Sequence, residues 1–117
     1  MNPEELRNRT KEFALEIIRL FRSLPRVEEA RIIGRQLLKA ATSVAANYRA
    51  AGRARSHPEF VAKIGVVVEE ADESVFWLEM LRDGKIITAD VAAPYLKEGN
   101  QLLAIFAASQ NTARRRR

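Results

Sequence analysis

Glycine and proline are scarce in this 117-residue chain, five and four respectively, and most of them sit where a regular segment would begin or end. Pro3, Pro25, Pro58 and Gly84 divide the sequence into stretches rich in Ala, Leu, Glu and Arg, all good helix formers. Such spacing leaves room for long helices with short connections and little else. No β-pattern competes: Val66-Val67-Val68 is the one β-branched cluster, and it falls inside a helical period.

Each helix carries its own start signal. Asn2 caps the first, with Pro3 at its first position and Glu5 placed for a capping box; Leu6, Phe13, Ile17, Leu20 and Leu24 then form a stripe that stops before Pro25. The second helix opens near Arg26 or Val27 with Glu28 and Glu29 in its first turn, where the macrodipole favours anions. Its stripe is Ile33, Leu37, Ala40, Val44 and Ala51, with Ala41 and Tyr48 beside it. Ser56-His57-Pro58-Glu59 reads as a capping box for the third helix, which buries Phe60, Ile64, Val67, Ala71, Val75, Leu78 and Leu81 before Gly84 stops it. Thr88 caps a fourth helix with the stripe Ala92, Tyr95, Leu96, Leu103 and Phe106. Four amphipathic helices at about 3–24, 27–54, 57–83 and 89–112 predict an all-α, antiparallel up-down-up-down four-helix bundle. It is a single domain over 1–113, followed by a disordered basic tail at 114–117.

Composition bears mainly on what is excluded. With no cysteine there is no disulfide framework, thiol nucleophile or thiolate metal site. The single histidine, His57, cannot supply the two Glu-x-x-His pairs of a di-iron bundle, and in a helix cap it reads as an exposed turn residue rather than a base. Arg53 and His57 straddle a helix break, unlike the Arg/His pair that small helical ribonucleases set along one helix. There is no glycine-rich phosphate loop and no nucleophile elbow. The expectation is a non-enzymatic chain with no cofactor and no metal. Neither a targeting segment nor a run near the roughly 20 apolar residues of a membrane span is present, so a cytoplasmic protein without membrane contact is expected.

The net charge of +5 conceals a strong polarity. It is +1 through Leu24, +5 over Pro25–Ser56, −5 over His57–Asp83 and +4 thereafter. On the second helix Arg31, Arg35, Lys39, Arg49 and Arg53 align opposite the core stripe, spanning roughly 33 Å at about 1.5 Å per residue. An ordinary solvated face is one reading; a strip for RNA or DNA phosphates is the other, and the strip's extent favours it. The third helix is acidic, and off its core stripe it carries Val66, Phe76, Trp77 and Met80. Aromatics and Met are what interface cores enrich, so these four are the candidate oligomer interface, with Trp77 filling the end of the bundle as the alternative.

The run Gly34-Arg35-Gln36-Leu37-Leu38-Lys39-Ala40-Ala41-Thr42-Ser43-Val44-Ala45-Ala46-Asn47-Tyr48-Arg49-Ala50-Ala51-Gly52-Arg53 resembles the central segment of the bacterial four-helix bundle proteins named for the large-subunit rRNA intervening sequence. Ser56-His57-Pro58-Glu59-Phe60 matches their Ser-x-x-Glu-Phe junction, and Glu69 to Glu79 their acidic third helix. The resemblance implies a helical bundle that assembles as a pentameric barrel, and a relative, the accessory protein of diversity-generating retroelements, binds nucleic acid through basic surfaces. Ala45 and Ala46 replace a proline common in the family, and Tyr48-Arg49 an apolar residue and an alanine, changes that straighten the second helix and add a cation. Gln36, Ser43 and Asn47 are matched polar positions expected to form helix-to-helix hydrogen bonds. Together these readings predict a homo-oligomer, pentameric by resemblance, that binds RNA or DNA backbones with low sequence specificity. The alternative is a protein–protein scaffold or accessory subunit whose basic helix docks an acidic partner or its own neighbour.

Overall fold

The computed structural model describes residues 1–116. Four helices follow one another: α1 (Pro3–Ser23), α2 (Glu28–Ala51), α3 (His57–Asp83) and α4 (Ala89–Arg115). Each packs on its neighbours in sequence, and a slim contact between α1 and α4 closes the ring. The body is a rod of 48 × 20 × 20 Å. No described helix is long and apolar enough to cross a membrane.

The helix starts follow the sequence signals, with one twist. Asn2 Oδ1 accepts the Glu5 N–H at 2.8 Å, Ser56 Oγ accepts the Glu59 N–H at 3.2 Å, and Thr88 Oγ1 accepts the Val91 N–H at 3.2 Å. The returning half of the box is displaced. Glu5 accepts from the Asn2 side-chain amide, and Glu59 from the backbone N–H of Arg55, one residue before the cap. In α2, Val27 is the N-cap and offers no side-chain bond.

The core runs the length of the rod. Leu6, Phe13, Ile17 and Leu20 of α1 meet Leu37, Ala41, Val44 and Tyr48 of α2; Ile64, Val67, Ala71, Leu78 and Leu81 of α3 meet Leu102 and Phe106 of α4. Tyr48 and Phe106 meet with their rings tilted at 49° and centroids 5.0 Å apart. Two hydroxyls are buried as well, and each bonds its own helix: Thr10 to the Arg7 carbonyl and Ser74 to the Glu70 carbonyl.

Three expectations need correction. The fourth helix buries Ala92, Gly99, Leu102, Phe106 and Ala113, while Tyr95, Leu96 and Leu103 are half-buried. Gly99 brings α4 close: a Cβ there would stand 3.1 Å from Val75 Cγ2. The stop after α3 lies one residue beyond Gly84, which has φ −76°; Lys85 takes the left-handed conformation at φ 59°. Ile86 N–H then bonds the Leu81 carbonyl at 2.9 Å and Lys85 N–H the Arg82 carbonyl at 3.0 Å, a Schellman pattern. Finally, the tail expected to be disordered at 114–117 is helical for part of its length. Arg114 and Arg115 form the last turn of α4, where cations suit the helix C-terminus, Arg116 is its C-cap, and Arg117 lies outside the described residues.

Candidate functional site

The five strip residues, Arg31, Arg35, Lys39, Arg49 and Arg53, are all solvent-exposed. Among the described residues none lies within ion-pair distance of a carboxylate; the ion pairs present are Arg9–Glu98, Arg19 with Glu12 and Glu16, and Arg82–Asp83. Lys39 differs from the other four. Burial, then Glu73, pushes the Glu70 carboxyl above its usual range, Lys39 pulls it back down, and Glu69 adds to the rise. Lys39 therefore leans electrostatically toward the acids of α3, across the α2–α3 seam.

The fold supplies a second row of cations that the strip alone does not contain. At about 100° per residue, Arg7, Lys11, Ile18 and Arg22 of α1 fall within about 60° of one another. That side of α1 lies along α2. Arg7 Nη1 would be 3.8 Å from a Cβ placed on Gly52, and it offsets part of the rise that burial causes in the Tyr48 phenol. At one end of the rod Arg7 and Lys11 face Arg49 and Arg53 across a groove of about 730 Å³, lined also by Asn8, Ala14, Thr42, Ala45, Ala46 and Gly52. At the other end Arg22 and Arg26 join Arg31 and Arg35 around a hollow of about 510 Å³. Neither lining contains a carboxylate. The signal that could have revealed this row is the four-residue link 24–27, which turns α1 back along α2.

Small residues make the first groove possible. Ala14, Ala45, Ala46 and Gly52 keep its floor low, while the long cationic side chains stand at its edges. A neighbouring hollow shares Arg49 and Arg53 and adds Arg55 and Lys63, with Glu59 the one acid in its lining. The Glu59 carboxylate is already engaged by the Arg55 backbone N–H.

The candidate interface on α3 divides. Val66, Phe76 and Met80 are exposed, Phe76 at 48%. They lie on one line with Glu69 and Glu73, at steps of four, three, four, three and four from Ala62. Trp77 is half-buried against the core and meets Phe76 edge-on, centroids 4.9 Å apart. It thus both fills the bundle and backs the exposed patch. The matched polar residues form no bond between helices: Asn47 donates to the Ser43 carbonyl of its own helix at 2.9 Å, and Gln36 is exposed. His57 is exposed at the start of α3, and its Nε2–H donates to the Ala113 carbonyl at 2.8 Å, tying α3 to the end of α4. Among the described residues no three of His, Asp or Glu converge as a metal would require.

Comparison with known proteins places this arrangement. No curated protein matches the chain. Among solved structures it is similar to a protein of unknown function from the S23 ribosomal protein family of Bacteroides thetaiotaomicron. The two are 25% identical, with 95% of this chain and 99% of that one covered and a TM-score of 0.87. The profile of the family described as 23S rRNA-intervening sequence protein matches residues 4–108. The chain belongs to that family of four-helix proteins.

Proposed function

We propose that this chain is a non-enzymatic, self-associating cytoplasmic bundle whose α1–α2 face binds RNA or DNA backbones with low sequence specificity. One observation carries the reading: α1 and α2 present parallel rows of exposed, unpaired Lys and Arg, and acids are absent from both hollows between them. A solvated face of ordinary composition intersperses both signs. Rows of one sign, set on rigid helices, suit the evenly spaced charges of a phosphate backbone.

Self-association rests on the α3 line. Val66, Phe76 and Met80 expose apolar surface, and Glu69 and Glu73 lie among them, so the patch complements a cationic helix of a second copy. A pentamer is the assembly that the family resemblance favours. The same α3 patch supports a second reading, in which the basic face docks an acidic protein surface and no nucleic acid is involved.

Filter binding to a structured RNA and to a duplex DNA, with Arg35→Glu/Arg49→Glu/Arg53→Glu as the variant, tests the first reading. Binding lost in the variant supports it. Retained binding, or wild-type protein that purifies with a low 260/280 nm absorbance ratio and binds neither probe, favours the second. Light scattering on Phe76→Glu tests assembly more cleanly than Trp77→Glu, because Trp77 also packs on the core. An unchanged mass would place the interface elsewhere.

A further inference from the structure

The groove at the α1–α2 end has features that a flat basic strip does not need. Its four cations come in two pairs: Arg7 and Lys11, one turn apart on α1, face Arg49 in the last turn of α2 and Arg53 just beyond its Gly52 C-cap across the floor. A turn is about 5.4 Å, so Arg7 and Lys11 offer two successive positions along one wall, more than a single compact ion needs. The floor is alanine and glycine, with no aromatic side chain on which a base could stack. Asn8 and Thr42 add neutral hydrogen-bonding groups, and no carboxylate lines the space to compete for the guanidinium groups.

Cations near the end of α2 have an ordinary role as well, since they complement the C-terminal pole of its dipole. That role accounts for Arg49. It does not account for Arg7 and Lys11, which belong to the first turns of another helix and bring two further positive charges to the same space without a counter-ion from the protein. Like charges gathered this closely repel one another, and an anion seated between them removes the repulsion.

We propose that this groove is a binding site for a short run of linked phosphates, held by Arg7 and Lys11 on one side and by Arg49 and Arg53 on the other. It deepens the nucleic-acid reading by naming where the backbone is gripped, and it rests on that reading for the biological source of the phosphates. The chemistry recognised is the phosphate chain itself, so a free polyphosphate and an unpaired nucleic-acid strand compete for the same place. Bases of a bound strand point away from the floor.

Titration calorimetry with tripolyphosphate at low salt, on the full chain, tests the site directly, alongside RNA binding by the same protein. The expected result is one tripolyphosphate per chain. Arg7→Ala/Lys11→Ala and Arg49→Ala/Arg53→Ala should each weaken it by at least about tenfold, while Lys97→Ala, an exposed cation of α4 outside the groove, leaves it unchanged. Circular dichroism confirms that each variant is folded; if Arg7→Ala disturbs the end of α2, Lys11→Gln alone carries the comparison. Tripolyphosphate that displaces RNA identifies the strand backbone as the source. Tripolyphosphate binding without RNA binding keeps the groove and assigns it to free polyphosphate, against the nucleic-acid reading. RNA binding with no tripolyphosphate binding, or binding indifferent to Arg7 and Lys11, overturns the groove and leaves the strip reading standing.

Discussion

Lys85 occupies a conformation that its own neighbour would suit better. At φ 59° its Cβ crowds the following carbonyl, a cost of about 1–2 kcal/mol for a non-glycine residue. The glycine next to it cannot simply be moved. A Cβ on Gly84 would stand 2.9 Å from the Met80 carbonyl oxygen, so position 84 has its own reason to be glycine. The perturbation that follows is Lys85→Gly, leaving Gly84 in place. Two effects oppose each other. Relief of the left-handed strain stabilises the fold by about 1–2 kcal/mol, while a second glycine loosens the unfolded chain by about 0.4–1 kcal/mol. The strain term is larger, and the net gain is about 0.5–1 kcal/mol. For a domain of this size that corresponds to a rise in Tm of about 2–4 °C. Lys85→Ala is the control, since it removes the same charge beside Asp83 but keeps the Cβ. Thermal unfolding by circular dichroism should rank Lys85→Gly above both Lys85→Ala and the wild type. If the glycine variant melts at or below the alanine variant, the turn after α3 is not built as described.

Other expectations concern the core and the acidic helix. Leu102→Ala removes a fully buried side chain and should cost about 3 kcal/mol in denaturant unfolding, whereas Leu103→Ala, half-buried, should cost clearly less; the reverse order would place α4 one residue out of register. Glu70 has a carboxyl raised by burial and by Glu73 and Glu69, so its ionised form is the less favourable one in the folded chain. The stability linked to its raised value is complete below the unfolded pKa and is lost as pH rises through the folded one. Glu70→Gln should therefore raise Tm at pH 7 and leave it unchanged below about pH 3, where the carboxyl is protonated in both states. A Tm gain equal at both pH values would remove the electrostatic cause.

The sequence was most informative where a helix had a regular run of core positions at three- and four-residue steps and a clean cap. The third helix shows this: Ser56 caps it, and six of the seven residues expected to be buried, from Ile64 to Leu81, are buried, with Phe60 half-buried at the first turn. The fourth helix was harder because Leu102 and Leu103 are adjacent and equally apolar. What decides between them is Gly99, whose lack of a side chain lets α4 approach Val75 but gives no signal in a pattern of hydrophobic residues. Thr10 and Ser74 were missed for a related reason, since each hydroxyl satisfies itself on its own helix and then packs like a small apolar group. Gly84 announced the end of α3 but not the conformation of Lys85, because backbone crowding at Met80 is invisible in sequence. In the candidate site, the α2 strip was legible as a repeat of cations at helical spacing. Arg7, Lys11 and Arg22 were not, because a row on α1 becomes part of the same face only once α1 is seen to lie against α2. The α3 patch was legible in composition, and the structure divided it by burying part of Trp77.

The central claim is that the α1–α2 face holds phosphates, and the salt dependence of RNA binding tests it most directly. Each phosphate neutralised on a single strand contributes about −0.7 to the slope of log K against log salt. Engagement of the five strip cations together with Arg7 and Lys11 of the groove predicts a slope of about −4.9, and Arg35→Glu/Arg49→Glu/Arg53→Glu should flatten it to about −2.8 or abolish binding. An affinity that stays constant between about 50 and 300 mM salt, or a slope the triple variant does not change, would contradict the account.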